Sequence, residues 1–223
     1  MSTTPTVFLV DNEQAVLNAL SRLLIEEGFA PRTFRSPEAF LCAHDPATPG
    51  CLVLDIEMPY LNGLALQRAL QASAWERFIV FITGHGDIAT SVEAMKAGAV
   101  DFLTKPIEDR DFLAAVRNAI AKDQVARETR EELQSIRQRL ASLTPREREV
   151  LQHVVAGQMN KQIAADLGTA EKTIKVHRAR IKKKMGVGSV AELVRLTLQI
   201  PLGTSLASGL PRTGSAYASR GRE

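Results

Sequence analysis

Residues 51–63 read CLVLDIEMPYLNG and join a short apolar run to an acidic residue. Residues 51–54 are apolar and too few for a helix, which favours a buried strand. Asp55 follows them directly, and Met58, Pro59 and Gly63 come after it. The stretch therefore predicts a strand whose carboxyl end carries a carboxylate.

Similar β-rich runs lie on both sides of this stretch and alternate with helical patterns. The further candidate strands are Thr6–Val10, Ala30–Phe34, residues 78–82 and residues 100–103. Five repeats of strand and helix in residues 1–121 predict an α/β domain, with a doubly wound five-stranded parallel sheet. In such a fold the ligand site lies at the carboxyl ends of the strands.

Four polar side chains follow candidate strands, so we expect them at one edge of the sheet. They are Asp11, Asp55, Thr83 and Lys105. Two neighbouring carboxylates repel each other, and a divalent cation relieves that repulsion. A carboxylate in this setting can attack a phosphoryl donor, while the cation, a lysine and a hydroxyl bind the phosphoryl oxygens. Each residue alone could be a helix cap or a surface residue, but together they predict a phosphoryl-transfer site.

Residues 6–121 resemble the receiver domain of two-component response regulators, whose fold is flavodoxin-like. The resemblance rests on five separated motifs in the expected order, among them DIEMP at 55–59, ITGHG at 82–86 and Lys105-Pro106. It implies that Asp55 accepts phosphate from a cognate sensor histidine kinase. It also implies that Asp11, Asp55 and the backbone carbonyl of Glu57 hold Mg²⁺.

The resemblance further implies which residues respond to phosphorylation. Thr83 and Phe102 match the hydroxyl and aromatic positions that rearrange around the phosphoryl group. The surface formed by the fourth helix and the fifth strand, around Ser91, Val92 and Lys96, then favours a homodimer.

One position departs from the receiver pattern. Receivers usually carry two acidic residues after the first strand, whereas this chain has Asp11-Asn12-Glu13. Asn12 can bind Mg²⁺ through its amide oxygen, but the site loses one formal charge. We therefore expect weaker Mg²⁺ binding than in a typical receiver. Glu13 is expected to be a solvated residue at a helix start, with a role as substitute ligand as the alternative.

A second, helical region follows the receiver-like part. The helical pattern from Asp109 continues into residues 122–142, which we predict to be a helical linker. Its apolar stripe is either a dimerising seam or the face of a spacer, and consists of Leu133, Ile136, Leu140 and Leu143. Residues 143–200 then predict a compact all-α domain of four short helices, which start near Pro145, Asn160, Glu171 and Val190.

Residues 143–187 closely resemble the helix-turn-helix of the LuxR, FixJ and NarL type, and the resemblance runs on to about Leu196. A short helix from Asn160 leads through a turn at Gly168 into a helix rich in lysine and arginine. The second helix of such a pair enters the major groove of DNA. The expected ligand is double-stranded promoter DNA with inverted half-sites, bound by a dimer, and RNA polymerase is a further expected partner.

The lysine-rich helix has two kinds of face. Ile174, Ile181 and Met185 fall at spacings of seven and four, so we expect them in the core. Residues placed to reach base edges are Lys172, Lys175, Val176 and Ala179. By resemblance, Lys175 and Val176 are the best base-reading candidates. Residues expected near the DNA backbone are His177, Arg178, Asn160, Lys161 and Thr173.

The start of this helix is a second departure from the family. The family usually has a serine that caps the helix, whereas this chain has Thr169-Ala170. Alanine cannot cap, and losing a cap typically costs about 1 kcal/mol. We expect either a frayed helix start or a substitute cap from Thr169.

The net charge of +3 hides a division along the chain. Residues 1–121 carry a net −6 and residues 143–200 a net +6. An acidic half suits a cation site and a basic half suits a polyanion. Two cysteines are too few for a disulfide scaffold. We expect a cytoplasmic protein without a signal peptide or membrane span, and a disordered tail at residues 201–223.

Two other interpretations stay open at this point. The receiver could be a dimerisation scaffold that works without phosphate, which Asn12 favours. The chain could instead be a phosphatase like the haloacid dehalogenases, but these need an Asp two residues after the nucleophile, where this chain has Glu57. We therefore expect a transcription regulator, an activator by resemblance, and not an enzyme.

Overall fold

The computed structural model describes residues 4–59, 61–73, 77–84 and 88–199 of the chain. The chain divides into two units between Thr129 and Arg130. The predicted disordered tail, residues 201–223, lies outside the described residues.

The first unit is built on a parallel sheet of five strands in the order β2-β1-β3-β4-β5. The strands are β1 (Thr6–Val10), β2 (Ala30–Phe34), β3 (Gly50–Asp55), β4 (Ile79–Thr83) and β5 (Asp101–Thr104). The helices are α1 (Gln14–Glu26), α2 (Pro37–Ala43), α3 (Gly63–Ala72), α4 (Ile88–Lys96) and the first part of α5 (Asp109–Ala141), whose residues from Arg130 onward belong to the second unit. The predicted doubly wound α/β fold is confirmed.

Each face of the sheet carries its own hydrophobic core. Val7 and Leu9 of β1 point to the core formed with α1 and α5, where Phe112 is fully buried. Phe8 and Val10 point to the opposite core, formed with α2, α3 and α4. Every residue of β1 is therefore buried, as expected for a strand covered on both faces.

Asp55 and Thr83 are the last residues of their strands, whereas the sequence prediction ended both strands one residue earlier. Asp55 pairs with Ile82, and Thr83 pairs with Thr104. The ladder continues because backbone pairing in a parallel sheet does not depend on the polarity of the side chain. This places both functional groups on rigid backbone at the carboxyl edge of the sheet.

The amino-terminal edge of the sheet, where β3 begins, contacts residues of α5 that were predicted to belong to the linker. Asp123 is buried, and its Oδ2 accepts hydrogen bonds from the Gly50 amide at 2.8 Å and from Arg127 Nε at 2.7 Å. Arg127 also donates to the carbonyls of Ala47 and Thr48 at 2.8 Å and 2.7 Å. The start of the predicted linker is thus part of the first unit.

In the second unit, residues 130–199 are described, and their regular secondary structure is helical. After the end of α5, its helices are α6 (Pro145–Val155), α7 (Asn160–Asp166), α8 (Glu171–Met185) and α9 (Val190–Leu198). Thr144 and Glu147 form a capping box at the start of α6. The four helices start where the sequence predicted them.

The apolar stripe of α5 packs inside this second unit. Ile136 is 1% exposed and Leu143 is 3% exposed. Leu133 and Leu140 are partly buried against the same core, which also contains Ile174 of α8. The stripe is therefore an intramolecular packing face, and the predicted linker divides between the two units.

Candidate functional site

The carboxyl edge of the sheet brings Lys105 against three carboxylates. Its Nζ lies 3.0 Å from Asp11 Oδ2 and 3.5 Å from Asp55 Oδ1. A third contact, of 3.2 Å, joins Nζ to Oε1 of Glu13 at the start of α1. Asp11 and Asp55 are almost fully buried. The site is thus an enclosed pair of carboxylates, neutralised in part by one ammonium group.

Burial and like charges shape the electrostatics of this site. Burial raises the pKa of Asp55 to about 6, and Asp11 and Glu57 add to the rise while Lys105 opposes it. Burial alone would lower the pKa of Lys105, but its hydrogen bond to Asp11 and the charge of Asp55 hold that pKa above its usual value. Uncompensated negative charge remains in the site, and a cation would relieve it.

The donor set fits a hard divalent cation. Asp55 Oδ1 is buried and makes no hydrogen bond within the described part of the chain. Among the described residues, no set of three His, Cys, Asp or Glu side chains could hold a metal ion by itself. A cation at this site would therefore be held by the carboxylates of Asp11 and Asp55 together with neutral oxygens. This set suits Mg²⁺, because the ion is usually held by one or two carboxylates and keeps several waters.

Glu13 was expected either as a solvated residue at a helix start or as a substitute metal ligand, and its observed position has features of both. Its side chain is 59% exposed, yet its carboxylate contacts Lys105. The Glu13 amide donates to Asp11 Oδ1 at 2.7 Å, which orients the buried carboxylate. Asn12 is half-buried beside them. Glu13 thus places a negative charge beside Lys105, which partly replaces the charge that an acidic residue at position 12 would supply.

Thr83 lies at this edge, and Phe102 lies in the neighbouring strand β5. Thr83 is fully buried at the end of β4, and its carbonyl accepts the backbone amide of Lys105 at 2.8 Å. Phe102, in β5, is half-buried against the core on the α4 face of the sheet. Thr83 at the end of β4 therefore lies beside Lys105, which directly follows β5, whereas Phe102 lies two residues before the end of β5.

In the second unit, α7 and α8 form a helix-turn-helix. Gly168 has φ +60° in the turn between them, and the Thr169 amide donates to the Ala164 carbonyl at 2.9 Å. Ile174, Ile181 and Met185 are fully buried, which confirms the predicted core face of α8.

The predicted DNA-contacting residues are partly solvent-exposed. The exposed members are Lys161, Lys172, Thr173, Lys175, Val176 and Ala179, and the half-buried members are Asn160, His177 and Arg178. Asn160 Oδ1 accepts a hydrogen bond from Arg178 Nη1 at 2.8 Å, so these two residues are partners. Lys175 forms an exposed ion pair with Glu171 at 3.3 Å.

The expected substitute cap of α8 is wrong. The N-cap residue is Ala170, and no side chain makes a capping hydrogen bond there. Thr169 lies one residue before the N-cap position. The alternative, a frayed helix start, stays a prediction.

Comparisons with known proteins match both units. The model of the response regulator receiver domain matches residues 7–117, and that of the luxR family of bacterial regulatory proteins matches residues 141–197. Response regulator protein TmoT of Ectopseudomonas mendocina is 43% identical over 191 residues, which cover 86% of this chain and 87% of that protein. Transcriptional regulatory protein FixJ of Rhizobium meliloti is 42% identical over 200 residues, which cover 90% and 98%.

A solved structure supports the same assignment. The response regulator StyR superposes with a TM-score of 0.83 at 45% sequence identity, covering 89% of this chain and 100% of that one. The chain belongs to the response regulators with a LuxR-type DNA-binding domain. Phosphorylation-controlled regulation of transcription is therefore its function. Among the described residues of this response regulator, no helix is long and apolar enough to cross a membrane.

Helix α4 of the response regulator has an apolar outer face. Val92 and Lys96 are exposed, whereas Ser91 is half-buried and its hydroxyl donates to the Ile88 carbonyl at 2.9 Å. Ile88 and Met95, which the sequence prediction did not single out, are also exposed. Ile88, Val92 and Met95 recur every three or four residues, and so they line one side of the helix.

Sequence reasoning missed the buried ion pair of the response regulator's second unit. Glu147 is 3% exposed, and its Oε2 lies 2.7 Å from Lys184 Nζ. The Thr144 amide donates to the same carboxylate at 2.9 Å, and Lys184 donates to the Ser142 carbonyl at 3.1 Å. The capping-box signal predicted the cap, but nothing in it predicted the lysine. Lys184 is therefore part of the scaffold of the DNA-binding domain.

Proposed function

We propose that Asp55 is the phosphoacceptor and that its phosphorylation by a cognate sensor histidine kinase promotes dimerisation and DNA binding. A carboxylate oxygen of Asp55 attacks the phosphorus atom, and the kinase histidine nitrogen leaves with its electron pair. The observation that supports this role concerns Oδ1 of Asp55. This oxygen is buried, makes no hydrogen bond within the described residues and lies 3.5 Å from Lys105 Nζ. We assign phosphoryl transfer to residues 1–121 and DNA binding to residues 143–200, each completed by part of α5.

The other residues of the site bind and follow the new group. Lys105 neutralises phosphoryl oxygens, and the hydroxyl of Thr83 and the ring of Phe102 move towards or with them. Asp11, Asn12, Asp55 and the carbonyl of Glu57 would hold Mg²⁺. When bound, this ion supplies positive charge that reduces repulsion between the carboxylates and the incoming phosphate.

Dimerisation would use the outer face of α4. Ser91, Val92 and Lys96 lie there, together with the exposed apolar residues Ile88 and Met95. The two α8 helices of the dimer, which are the recognition helices that enter the major groove, would then meet inverted half-sites about one helical turn apart. We infer that the dimer activates transcription in the cytoplasm with RNA polymerase as a further partner.

The test treats the full chain with acetyl phosphate and Mg²⁺, then measures phosphate incorporation, mass in solution and affinity for duplexes selected from random-sequence DNA. We expect the wild type to gain phosphate, to dimerise and to bind about tenfold more tightly, which is about 1.4 kcal/mol. Asp55→Ala should show none of these changes. The control Asp111→Ala, which removes an exposed carboxylate elsewhere, should behave as wild type.

Two results would overturn the proposal. DNA binding that is identical in all conditions would indicate a scaffold receiver. Steady turnover of a small phosphoester that Asp55→Ala abolishes would indicate a phosphatase.

Asn12→Asp should strengthen Mg²⁺ binding. An added unit charge next to a divalent cation at a partly solvated site is worth on the order of 1 kcal/mol. We expect an affinity gain of about five- to tenfold by isothermal titration calorimetry. Because Glu13 already supplies charge near Lys105, Glu13→Gln should weaken binding in the wild type. Equal affinities of wild type and Asn12→Asp would contradict the prediction.

A further inference from the structure

The end of helix α8 is held by the end of helix α5. Arg139 Nη1 donates to the Met185 carbonyl at 3.0 Å, which is one of the carbonyls that a helix end leaves without an intrahelical partner. Its Nη2 donates to Ser135 Oγ at 3.0 Å, one turn earlier in α5. The guanidinium group is therefore fixed by its own helix and aimed at the neighbouring one.

The local backbone is shaped for this contact. Gly186 has φ +67°, and the Gly186 and Val187 amides close the helix on the carbonyls of Lys183 and Lys182. A Cβ atom at Gly186 would lie 3.3 Å from Arg139 Nη1. A positive side chain also complements the negative end of the helix dipole.

The two ends of α8 are held very differently. At the start, Ala170 provides no side-chain cap. At the other end, Arg139 contacts Met185, and Lys184 contacts the Ser142 carbonyl just beyond α5. The core holds the start of α8 through Ile174, whereas its carboxyl-terminal end is also held by side-chain hydrogen bonds to the carboxyl-terminal end of α5 and the residue that follows it.

We infer that the last three turns of α5, residues 130–141, are a working part of the DNA-binding domain, and that Arg139 is a positioning residue for the recognition helix. This inference rests on the proposed binding of DNA by α8. Arg139 acts through the Met185 carbonyl and contacts no DNA itself. It fixes the direction in which α8 presents Lys175 and Arg178.

The test measures binding of the full chain to a labelled random-sequence duplex across a range of salt concentrations. Each phosphate contact that is lost lowers the slope of log K against log salt by about 0.9. We expect Arg139→Ala to weaken binding about fivefold with an unchanged slope. Arg178→Ala and Lys175→Ala should each reduce affinity, and a phosphate contact at either position should also reduce the slope by about one.

Two controls separate positioning from charge and from folding. Arg137→Ala removes the same charge from an exposed position of the same helix, and should bind within twofold of wild type. Arg139→Lys keeps a cationic donor and should recover most of the affinity. Amide exchange at Gly186 and Val187 should accelerate in Arg139→Ala, while exchange in α6 stays unchanged.

The possible outcomes are distinct. A slope reduced by one in Arg139→Ala would mean a direct phosphate contact and would overturn the inference. Affinity equal to that of Arg137→Ala would overturn it as well. Wild-type binding by both Arg178→Ala and Lys175→Ala would remove α8 as the DNA-binding surface, and the inference would fall with the proposed function.

Discussion

Gly50→Ala is expected to unfold the first unit or to lower its free energy of unfolding by more than about 4 kcal/mol. Gly50 begins β3 with φ +140°, a conformation that residues with a side chain rarely adopt. A Cβ atom there would lie 1.7 Å from the backbone oxygen of Thr6, its partner in β1. Neither strand can move away, because each pairs with another strand on its far side.

Gly28→Ala is the matched control for this change. Gly28 also has a positive φ, of +81°, but a Cβ atom there would meet nothing within 4 Å. It should therefore cost about 1 kcal/mol, which is the strain of the left-handed backbone alone. Urea denaturation followed by circular dichroism, with hydrogen exchange in β1 and β3, measures both variants. A cost below 2 kcal/mol for Gly50→Ala would show that the clash is relieved by movement of the strand.

Lys184→Met is expected to destabilise the second unit by about 3 kcal/mol, at the lower end of the range for a broken buried ion pair because Lys184 is partly exposed. The change keeps the length of the side chain but leaves the buried Glu147 carboxylate without its ammonium partner. Lys183→Met, next to it and exposed, should change stability by less than about 0.5 kcal/mol. Hydrogen exchange in α6 and α8 isolates the response of this unit.

The pH dependence gives an independent check on the same pair. Hydrogen bonding to Lys184 lowers the pKa of Glu147 below its ordinary value of 4.5. Since the folded-state pKa is the lower one, this stabilisation is present above about pH 4.5 and is lost as the pH falls through the folded-state value. In Lys184→Met the loss on acidification should shrink. Adding Glu147→Gln should restore part of the stability, and failure of that rescue would contradict the assigned cause.

The sequence predicted the sheet and the identity of its polar edge because those features are local. Short apolar runs specify strands, and the carboxyl ends of parallel strands share one edge. The sequence alone therefore predicts that Asp11, Asp55 and Lys105 lie close together. The contact between Glu13 and Lys105 could not, since it depends on how two long side chains reach across the site.

The second unit shows the same limit at longer range. Four helices followed from capping and periodicity, but the pairing of Glu147 with Lys184 joins positions 37 residues apart. Asn160 and Arg178 were both predicted to contact DNA. In the structure they are hydrogen-bonded to each other, and the sequence did not predict this contact. The sequence left the role of the apolar stripe on α5 open, because such a face can pack against a second chain or against other residues of the same chain.

Helix α5 also limits how regulators of this kind can be recombined. A junction at the predicted domain limit near residue 121 would take Asp123 away from the loop that it holds. A junction near residue 142 would take Ile136 from the other core. A crossover close to Thr129, where the two units divide, leaves each half of the helix with its own partners. Chimeras of this receiver with other output domains should therefore accept a fusion in the middle of a helix, where sequence alone would advise against one.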